Sequence, residues 1–346
     1  MRALHVLNTG KYSGAENVVI TLIRALDGEI ESAYASPDGP IRDILKEKGI
    51  KYFPVSTVAI NIKELKQIIH QYRPDVIHAH DYNAGIMACL TGTNVPIINH
   101  LHNNTPWLSK ICPRSLAYLA SCIRYKKILM VSDSVMNEFI FGKLVKKKSL
   151  VVGNPVNVLE IREKAGEKGA LHEASDVIFL GRLSEQKNPL FFLDIVADII
   201  KKIPDLRVAM VGTGELRKEV EDKISKLKIE KNVKVYGFQK NPYALLNASK
   251  VVCMPSKWEG FGLAAVEGLA LGKPVIASPV GGLQFIVNDQ CGKICEEKEE
   301  YVRELERLLL DTLYYNSKSN EAKLRARRYA NIESYSEKIV ELYHTI

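Results

Sequence analysis

The sequence has no long apolar run. Among its 346 residues, no stretch approaches the roughly 18–20 consecutive apolar residues that a membrane-spanning helix needs. The first eight residues are typical of a strand and not of a secretory signal. We therefore expect a cytoplasmic protein rather than an integral membrane or secreted one.

Paired cysteines are also missing. None of the six cysteines forms a Cys-x-x-Cys pair, and a chain of this length needs no disulfide scaffold, so reduced thiols are expected. Cys291 and Cys295 have no second pair nearby to complete a zinc site. We expect neither a metal nor another cofactor. The remaining cysteines are Cys89, Cys112, Cys122 and Cys253.

Acidic residues are scarce in the first half of the chain. Residues 1–155 hold 19 Lys plus Arg against 12 Asp plus Glu, most of the net charge of +8. Basic and apolar residues mix in residues 110–148, which suits an anionic membrane surface or a phosphorylated lipid. The alternative is a solvated basic face without a partner. No nucleic-acid-binding motif accompanies the charge, so nucleic acid is not expected as a partner.

Short apolar runs alternate with amphipathic stretches of helical length, which predicts parallel βαβ units. Two series of strands indicate two Rossmann-like, doubly wound α/β domains that face each other across a cleft. We predict an N-terminal acceptor-side domain of residues 1–156 plus a final helix at about 325–346, a hinge at 157–175, and a C-terminal donor-side domain at 176–324. The predicted strands are Leu4–Leu7, Asp75–Ala79, Pro96–Asn99, Ile128–Val131, Leu150–Val152, Val177–Leu180, Arg207–Val211, Val233–Tyr236, Val251–Met254 and Pro274–Ala277.

Such folds bind ligands at the carboxyl ends of their strands, and unusual residues follow two of the predicted strands. After Val251–Met254, two glycines and a helix start offer free amides to a phosphate. Glu259 precedes that helix, whereas Glu267 lies too deep in it to act as a cap. A ribose diol would satisfy Glu267, although a solvent-facing glutamate is an equal alternative.

A pair of cations follows the strand Val177–Leu180. Arg182 and Lys187 lie five residues apart before a predicted helix, where they could clamp a diphosphate and stabilise a departing nucleoside diphosphate. Two ordinary surface cations are the alternative. We expect the side chains of Lys187 and Glu267 to contribute to ligand binding and little to packing.

Three further loops are weaker candidates for nucleotide contact. Gly212 and Gly214 follow one strand, Phe238 follows the next, and the loop containing Gly14 follows the first strand of the chain. None of them completes a dinucleotide-binding fingerprint.

Six of the eight histidines lie within residues 1–155. His78 and His80 end one predicted strand, and His100 and His102 end the next. Because strand residues alternate, the rings within each pair share a face and could form a metal site. We prefer cleft residues that donate hydrogen bonds to sugar or phosphate oxygens, with at least two of the four structural.

Taken together, these motifs resemble the retaining family 4 glycosyltransferases of the GT-B fold, the group 1 type. The resemblance rests on Gly181-Arg182-Leu183 with Gln186-Lys187-Asn188, and on Glu259-Gly260-Phe261-Gly262 with Glu267. It spans most of the chain, and the order and spacing of the motifs are highly specific. Further matching segments are Gly14-Ala15-Glu16, Asp75–His80, Pro96–His102, Val211–Gly214 and Gly272–Ala277.

The resemblance implies a retaining hexosyltransferase that moves a sugar from a nucleotide-sugar, with a UDP-sugar as the family-weighted donor. Arg182 and Lys187 would bind the diphosphate and Glu267 the ribose, while Glu259 and His102 would face the transferred sugar as catalytic residues. Gly14, Gly212, Gly214, Phe238, Phe261, Gly262 and Leu263 complete the expected donor site, and His80 and His100 lie on the acceptor side.

The sequence has no Asp-x-Asp motif, the usual carboxylate clamp for a metal-bound nucleotide-sugar, so metal-independent catalysis is expected. The basic half favours a lipid-linked glycan of surface polysaccharide synthesis as the acceptor. Two rivals share the fold: a nucleotide-sugar epimerase, and a non-catalytic subunit that supports a partner enzyme.

Overall fold

The chain divides into two compact α/β units. The computed structural model describes residues 1–57, 59–166 and 174–346. The first unit comprises Met1–Pro155 and Asn331–Ile346, and the second comprises Val156–Ala330. No helix among these described residues is both long and apolar enough to cross a bilayer.

The first unit is built on a seven-stranded parallel sheet in the order β3-β2-β1-β4-β5-β6-β7. Its strands are β1 (Arg2–Val6), β2 (Glu31–Pro37), β3 (Lys51–Val55), β4 (Val76–His80), β5 (Ile97–Leu101), β6 (Tyr125–Met130) and β7 (Ser149–Val151). Its helices are α1 (Gly14–Ala25), α2 (Ile41–Glu47), α3 (Ile62–Tyr72), α4 (Asp81–Leu90), α5 (Pro113–Cys122), α6 (Asp133–Glu138) and α7 (Gly142–Val145).

The second unit repeats the design with a six-stranded parallel sheet in the order β10-β9-β8-β11-β12-β13. Its strands are β8 (Ser175–Leu180), β9 (Val208–Val211), β10 (Val233–Gly237), β11 (Ser249–Met254), β12 (Val275–Ala277) and β13 (Gly292–Ile294). Its helices are α8 (Val158–Ala165), α9 (Pro189–Ile200), α10 (Arg217–Leu227), α11 (Tyr243–Asn247), α12 (Leu263–Ala270), α13 (Leu283–Ile286), α14 (Lys298–Leu310) and α15 (Thr312–Ala326).

The last helix, α16 (Ile332–His344), belongs to the first unit. Tyr335, Ile339, Leu342 and Tyr343 are buried in one apolar cluster with residues of β1, α1 and β4. Their spacing places them on one face of the helix. The apolar face explains why this segment packs with residues more than 180 positions away.

The two parallel-sheet domains predicted from the sequence are confirmed, and the structure adds three strands. Of these, β2 is built largely from Ala and Ser, β3 contains Pro54, and β13 has only three residues. None of them carries the run of Val and Ile by which a buried parallel strand is recognised. Their partners in the sheet, rather than local propensity, make them strands.

The predicted hinge differs from the structure in one respect. Residues 158–165 form α8, which packs against α11 and α12 within the second unit. Part of the predicted hinge, residues 167–173, lies outside the described residues. Residues 325–330, assigned from the sequence to the final helix of the first domain, belong to the second unit.

In each sheet, the strand order reverses next to the first strand of the unit. The reversal lies between β1 and β4 in the first unit and between β8 and β11 in the second. Ligands of open α/β sheets bind at the carboxyl ends of the strands at such points. We therefore expect a ligand site at the loops that follow these four strands.

Candidate functional site

An ion pair joins the loops that follow β8 and β11. Lys187 Nζ lies 2.5 Å from Glu259 Oε2, and the two side chains are only 16% and 10% exposed. The stem of Lys187 runs past Gly181, where an added Cβ would touch the lysine carbons at 3.4–3.6 Å. The lysine stem therefore lies in van der Waals range of Gly181.

One side-chain and one backbone hydrogen bond hold the same two loops together. Gln186 Nε2 donates to the carbonyl of Trp258 (3.1 Å), and the Lys257 amide donates to the carbonyl of Gln186 (2.8 Å). Arg182 is exposed, and its Nη2 donates to Gln186 Oε1 at 3.3 Å. The buried Gln186 thus fixes one loop against the other, while the guanidinium of Arg182 stays open to solvent.

A third loop, which follows β12, packs closely against the loop that carries Glu259. An added Cβ at Gly281 would lie 1.5 Å from the carbonyl oxygen of Glu259, and one at Gly282 would lie 2.2 Å from that of Phe261. Gly281 also has a φ of +53°, which disfavours any side chain there. These two glycines let the loop carrying Glu259 sit directly on the β12 loop.

Helix α12 begins at the end of the loop that carries Glu259, and it contains the second carboxylate, Glu267. Gly262 caps the helix with a φ of +103°, and the first amides of a helix have no partner within it. The half-buried Glu267 accepts a hydrogen bond from the Tyr243 hydroxyl at 3.2 Å. Burial raises the pKa of Glu267, while the Tyr243 hydrogen bond and the charge of Lys187 lower it.

Gly212 and Gly214, in the loop after β9, have a packing role that the sequence did not indicate. A Cβ added at Gly212 would lie 1.9 Å from the carbonyl oxygen of Gly181, and one added at Gly214 would lie 2.2 Å from the carbonyl oxygen of Leu183. Both glycines therefore let the loop after β9 pack against the loop after β8. Phe238, just beyond β10, is 57% exposed, as expected of a residue available for stacking.

In the first unit, five histidine rings stack against one another near the point where the strand order of the sheet reverses. His5 on β1 joins His78 and His80 on β4 and His100 and His102 on or next to β5, and all five are buried. Neighbouring rings lie 4.3–5.7 Å apart between centroids. His5 was missed from the sequence because it stands alone, although its place on the first strand puts it opposite His78.

The rings are hydrogen-bonded mainly to one another. His80 contacts His5 at 3.1 Å and His102 at 2.9 Å, while His78 contacts His100 at 3.3 Å and the Tyr343 hydroxyl at 2.6 Å. Burial lowers the pKa of His5 to about 3 and that of His102 to about 4. The cluster is therefore neutral at pH 7, and its ring nitrogens keep their lone pairs.

A pocket of about 630 Å³ opens beside this cluster within the first unit. Its wall includes His80, Asp81 and Arg114, with Trp107 edge-on to Tyr82 at a centroid distance of 4.9 Å. Asp81 has a φ of +66°, a strained backbone of the kind found at functional sites, and its carboxylate accepts from the His102 amide. Carboxylate, guanidinium and aromatic groups in one pocket suit a sugar that carries a phosphate.

Glu16 also lines this pocket and lies in the first turn of the helix that begins at Gly14. It accepts a hydrogen bond from the Ser13 hydroxyl, and burial raises the pKa of its carboxyl group. The Gly14 loop thus borders the pocket of the first unit through Glu16.

Two family sequence models cover the chain on either side of residue 159. The model described as Glycosyl transferases group 1 matches residues 160–329, and the one described as Glycosyltransferase Family 4 matches residues 12–158. The chain belongs to the group 1 and family 4 glycosyltransferases.

Known glycosyltransferases resemble the chain over most of its length. An Escherichia coli UDP-Gal:alpha-D-GlcNAc-diphosphoundecaprenol alpha-1,3-galactosyltransferase is 28% identical over 88% of this chain and 86% of the relative. A Campylobacter jejuni alpha-1,4-N-acetyl-D-galactosaminyltransferase, which acts on a GalNAc-containing glycan linked to PP-undecaprenol, is 25% identical over 95% and 94%. The crystal structure of Anabaena HepE with UDP and glucose superposes with a TM-score of 0.86 at 21% identity and covers both chains completely.

For this glycosyltransferase, the structure brings most of the predicted donor residues of the second unit together. Lys187, Glu259 and Glu267 interact directly or through their charges, and Arg182 joins them through Gln186. Phe261 packs its buried ring against Tyr329, which leaves its amide rather than its side chain for a ligand. Leu263 begins α12.

The two histidines predicted on the acceptor side lie in different surroundings. His80 lines the pocket, whereas His100 is fully buried and bonds to His78. Both ring nitrogens of His78 have partners, so a direct hydrogen bond from this ring to a substrate oxygen would require it to leave one of them. All six cysteines are free, and among the described residues only histidines form groups that could hold a metal ion.

Proposed function

We propose that this glycosyltransferase moves a sugar from a UDP-sugar, bound by the second unit, to a lipid-linked glycan, bound by the first unit. The observation that carries the proposal is the Lys187–Glu259 ion pair beside the half-buried Glu267. One cation suits a diphosphate, and two carboxylates suit the hydroxyl groups of a sugar and a ribose. The presence of UDP and glucose in the HepE structure supports this choice of donor.

Departure of the diphosphate is the step that these groups would assist. Negative charge develops on the diphosphate as the glycosidic bond breaks, and Lys187, Arg182 and the first amides of α12 would stabilise it. Cations and amides thereby replace a metal clamp, and we propose that catalysis requires no metal. Glu259 and His102 would contact the transferred sugar.

We further propose that the sugar keeps its anomeric configuration. In a front-face substitution, the leaving diphosphate takes the proton of the acceptor hydroxyl, so no protein nucleophile is required. This agrees with a second unit in which cations and a helix N-terminus, rather than an acid–base pair, surround the proposed diphosphate site.

The pocket of the first unit is the proposed acceptor site. Trp107 and Tyr82 offer aromatic surface for a sugar ring, and Arg114 offers a cation for a phosphate. Both named bacterial relatives act on glycans linked to undecaprenol through a diphosphate, which favours an acceptor of that class.

Contact with an anionic membrane would bring such an acceptor to the pocket. Arg114 and Ala117 of α5 line the pocket, while Leu116 on the same helix is 48% exposed. Ile123 and Leu144 are 78% and 72% exposed among the basic residues of the first unit. We call this surface the α5–α7 patch, and it consists of Lys110, Ile111, Arg114, Leu116, Ile123, Arg124, Lys126, Ile140, Lys143, Leu144, Lys146 and Lys147.

Calorimetric titration of the protein with UDP, GDP and ADP in EDTA tests the donor site. We expect UDP to bind, to bind at least about tenfold more weakly to Lys187→Met, and to bind unchanged to Lys293→Met, which removes an ion-paired lysine elsewhere in the same unit. Binding of none of the three nucleotides would favour the non-catalytic subunit.

Transfer itself is tested with a UDP-sugar and a polyprenyl-diphosphate-linked sugar in EDTA, with NMR of the product. An axial linkage from an axial donor supports retention, and an inverted product contradicts it. Conversion of the UDP-sugar alone into its epimer would establish the epimerase. Activity that is lost in EDTA and restored by Mg²⁺ would contradict metal independence.

A further inference from the structure

Three of the buried histidines converge from two neighbouring strands. His5 stands opposite His78 in the register of β1 and β4, and His80 lies two residues further along β4 on the same face. Each ring offers a nitrogen, and the three nitrogens lie within 4.8 Å of one another. All three residues are at most 2% exposed.

The hydrogen-bonding capacity of the whole histidine cluster is incompletely used. Five neutral imidazoles carry five N–H donors and five lone pairs. His5 Nε2 is buried without a hydrogen-bond partner among the described residues. A buried polar atom without a hydrogen bond destabilises a fold. Apolar side chains at these positions would therefore give a more stable protein unless the histidine rings bind a ligand.

We propose that His5, His78 and His80 bind a divalent transition-metal ion of the zinc class. Imidazole nitrogens are preferred ligands of Zn²⁺, at about 2.0–2.1 Å, and tetrahedral geometry separates them by about 3.4 Å. The closest ring nitrogens of His5 and His80 are 3.1 Å apart. An ion bound by the Nε2 atoms of His78 and His80 would take the place of the His5–His80 and His78–His100 hydrogen bonds.

The outer partners of two ligands match those of known metal sites, where each histidine bonds outward through its second nitrogen. His78 Nδ1 contacts the Tyr343 hydroxyl, and His80 Nδ1 contacts His102 Nε2. The ion would link β1 and β4 to α16 through Tyr343. It would also fix His80 as the donor to His102.

A second trio, His80, His100 and His102, also has nitrogens within 4.8 Å of one another. We assign the ion to the first trio because the outward partner of His78 is a hydroxyl group on another element, and because this leaves His102 free for substrate. The site lies in the first unit, and metal binding is measured without donor or acceptor, so its test is separate from the test of the proposed function.

Zn²⁺ titration of EDTA-treated, dialysed full-length protein against a chromophoric chelator tests the site, together with visible absorption after Co²⁺ addition. We expect one ion per chain and the intense absorption of tetrahedral Co²⁺. Affinity should fall about 100-fold or more in His5→Gln and stay unchanged in the double variant His70→Gln/His344→Gln, which removes two exposed histidines.

Each other outcome counts against the proposal. Absence of stoichiometric binding, an octahedral Co²⁺ spectrum, or loss of binding in the His70→Gln/His344→Gln control would overturn it. If His100→Gln loses Zn²⁺ binding and His5→Gln retains it, the ion belongs to the second trio and the assignment is contradicted. If His5→Gln does not fold, His78→Gln and the Co²⁺ spectrum of the wild type decide the question.

Discussion

Lys187 Nζ and Glu259 Oε2 lie 2.5 Å apart at the carboxyl ends of β8 and β11, with little of either side chain exposed. The sequence predicted binding roles for both residues but no interaction between them. Because the pair is largely withdrawn from water, neither charge can be removed without leaving the other unpaired. The two residues therefore contribute to stability as well as to the proposed donor site.

Removal of one partner should thus cost more than removal of both. We expect Lys187→Met and Glu259→Gln each to lower the free energy of unfolding by about 2–3 kcal/mol, and the double variant to recover most of that loss. Urea unfolding of the three variants measures the coupling, and nucleotide binding should stay weak in all of them. Strictly additive losses would show that the ion pair contributes nothing to the fold.

The motifs of the donor loops were predictable from the sequence because each lies in one continuous segment with glycines and a helix start. The support for those loops was not predictable. Gly281 and Gly282 lie about 20 residues beyond Glu259, and only the adjacency of β11 and β12 brings them beneath it. The histidine cluster required the register of β1, β4 and β5, which spacing along the chain does not reveal.

Gly281 should therefore be intolerant of even the smallest side chain. Its φ is +53°, and an added Cβ would overlap the Glu259 carbonyl. Gly281→Ala is expected to destabilise the protein by about 3 kcal/mol or more and to weaken UDP binding, because the Glu259 loop must move. Gly28→Ala is the matched control, since Gly28 has a φ of +86° with nothing near its Cβ. That variant should lose only about 1 kcal/mol, measured by thermal unfolding. Equal losses in the two variants would contradict the role of close packing.

Glu267 should give the fold a distinct pH dependence. Burial raises the pKa of its carboxyl group above the ordinary value, so its contribution to stability is greatest at low pH and declines as pH rises through the raised pKa. The stability of Glu267→Gln relative to wild type should therefore rise between pH 4.5 and pH 7. The variant should also bind UDP more weakly than wild type does. Glu64→Gln should show the opposite trend, because hydrogen bonds from Ser56 lower the pKa of Glu64. Urea midpoints across this pH range measure both trends, and the same trend in both variants would show that Glu267 is not held in a desolvated environment.

The α5–α7 patch should bind anionic vesicles. Ile123→Ser/Leu144→Ser removes two of its most exposed apolar side chains, and co-sedimentation with phosphatidylglycerol vesicles should fall about tenfold or more. The control Leu310→Ser/Leu313→Ser removes leucines that are 64% and 83% exposed in the second unit and should change nothing. Binding to neutral vesicles should be weak, and salt should reduce binding to anionic ones. Equal losses in both double variants would assign membrane contact to general hydrophobicity.

Two tyrosines of α16 provide the sharpest comparison of a satisfied with an unsatisfied buried hydroxyl group. The Tyr343 hydroxyl contacts His78 Nδ1 at 2.6 Å, whereas the buried Tyr335 hydroxyl has no hydrogen-bond partner among the described residues. Tyr343→Phe leaves a buried histidine nitrogen unpaired and should cost about 1–2 kcal/mol, measured in EDTA so that bound metal does not contribute. Tyr335→Phe removes an oxygen that gains nothing from burial, so its stability should equal or exceed that of wild type. The two variants delete the same atom from the same helix, and a loss in Tyr335→Phe as large as that in Tyr343→Phe would mean that the helix, rather than the contact with His78, determines the effect.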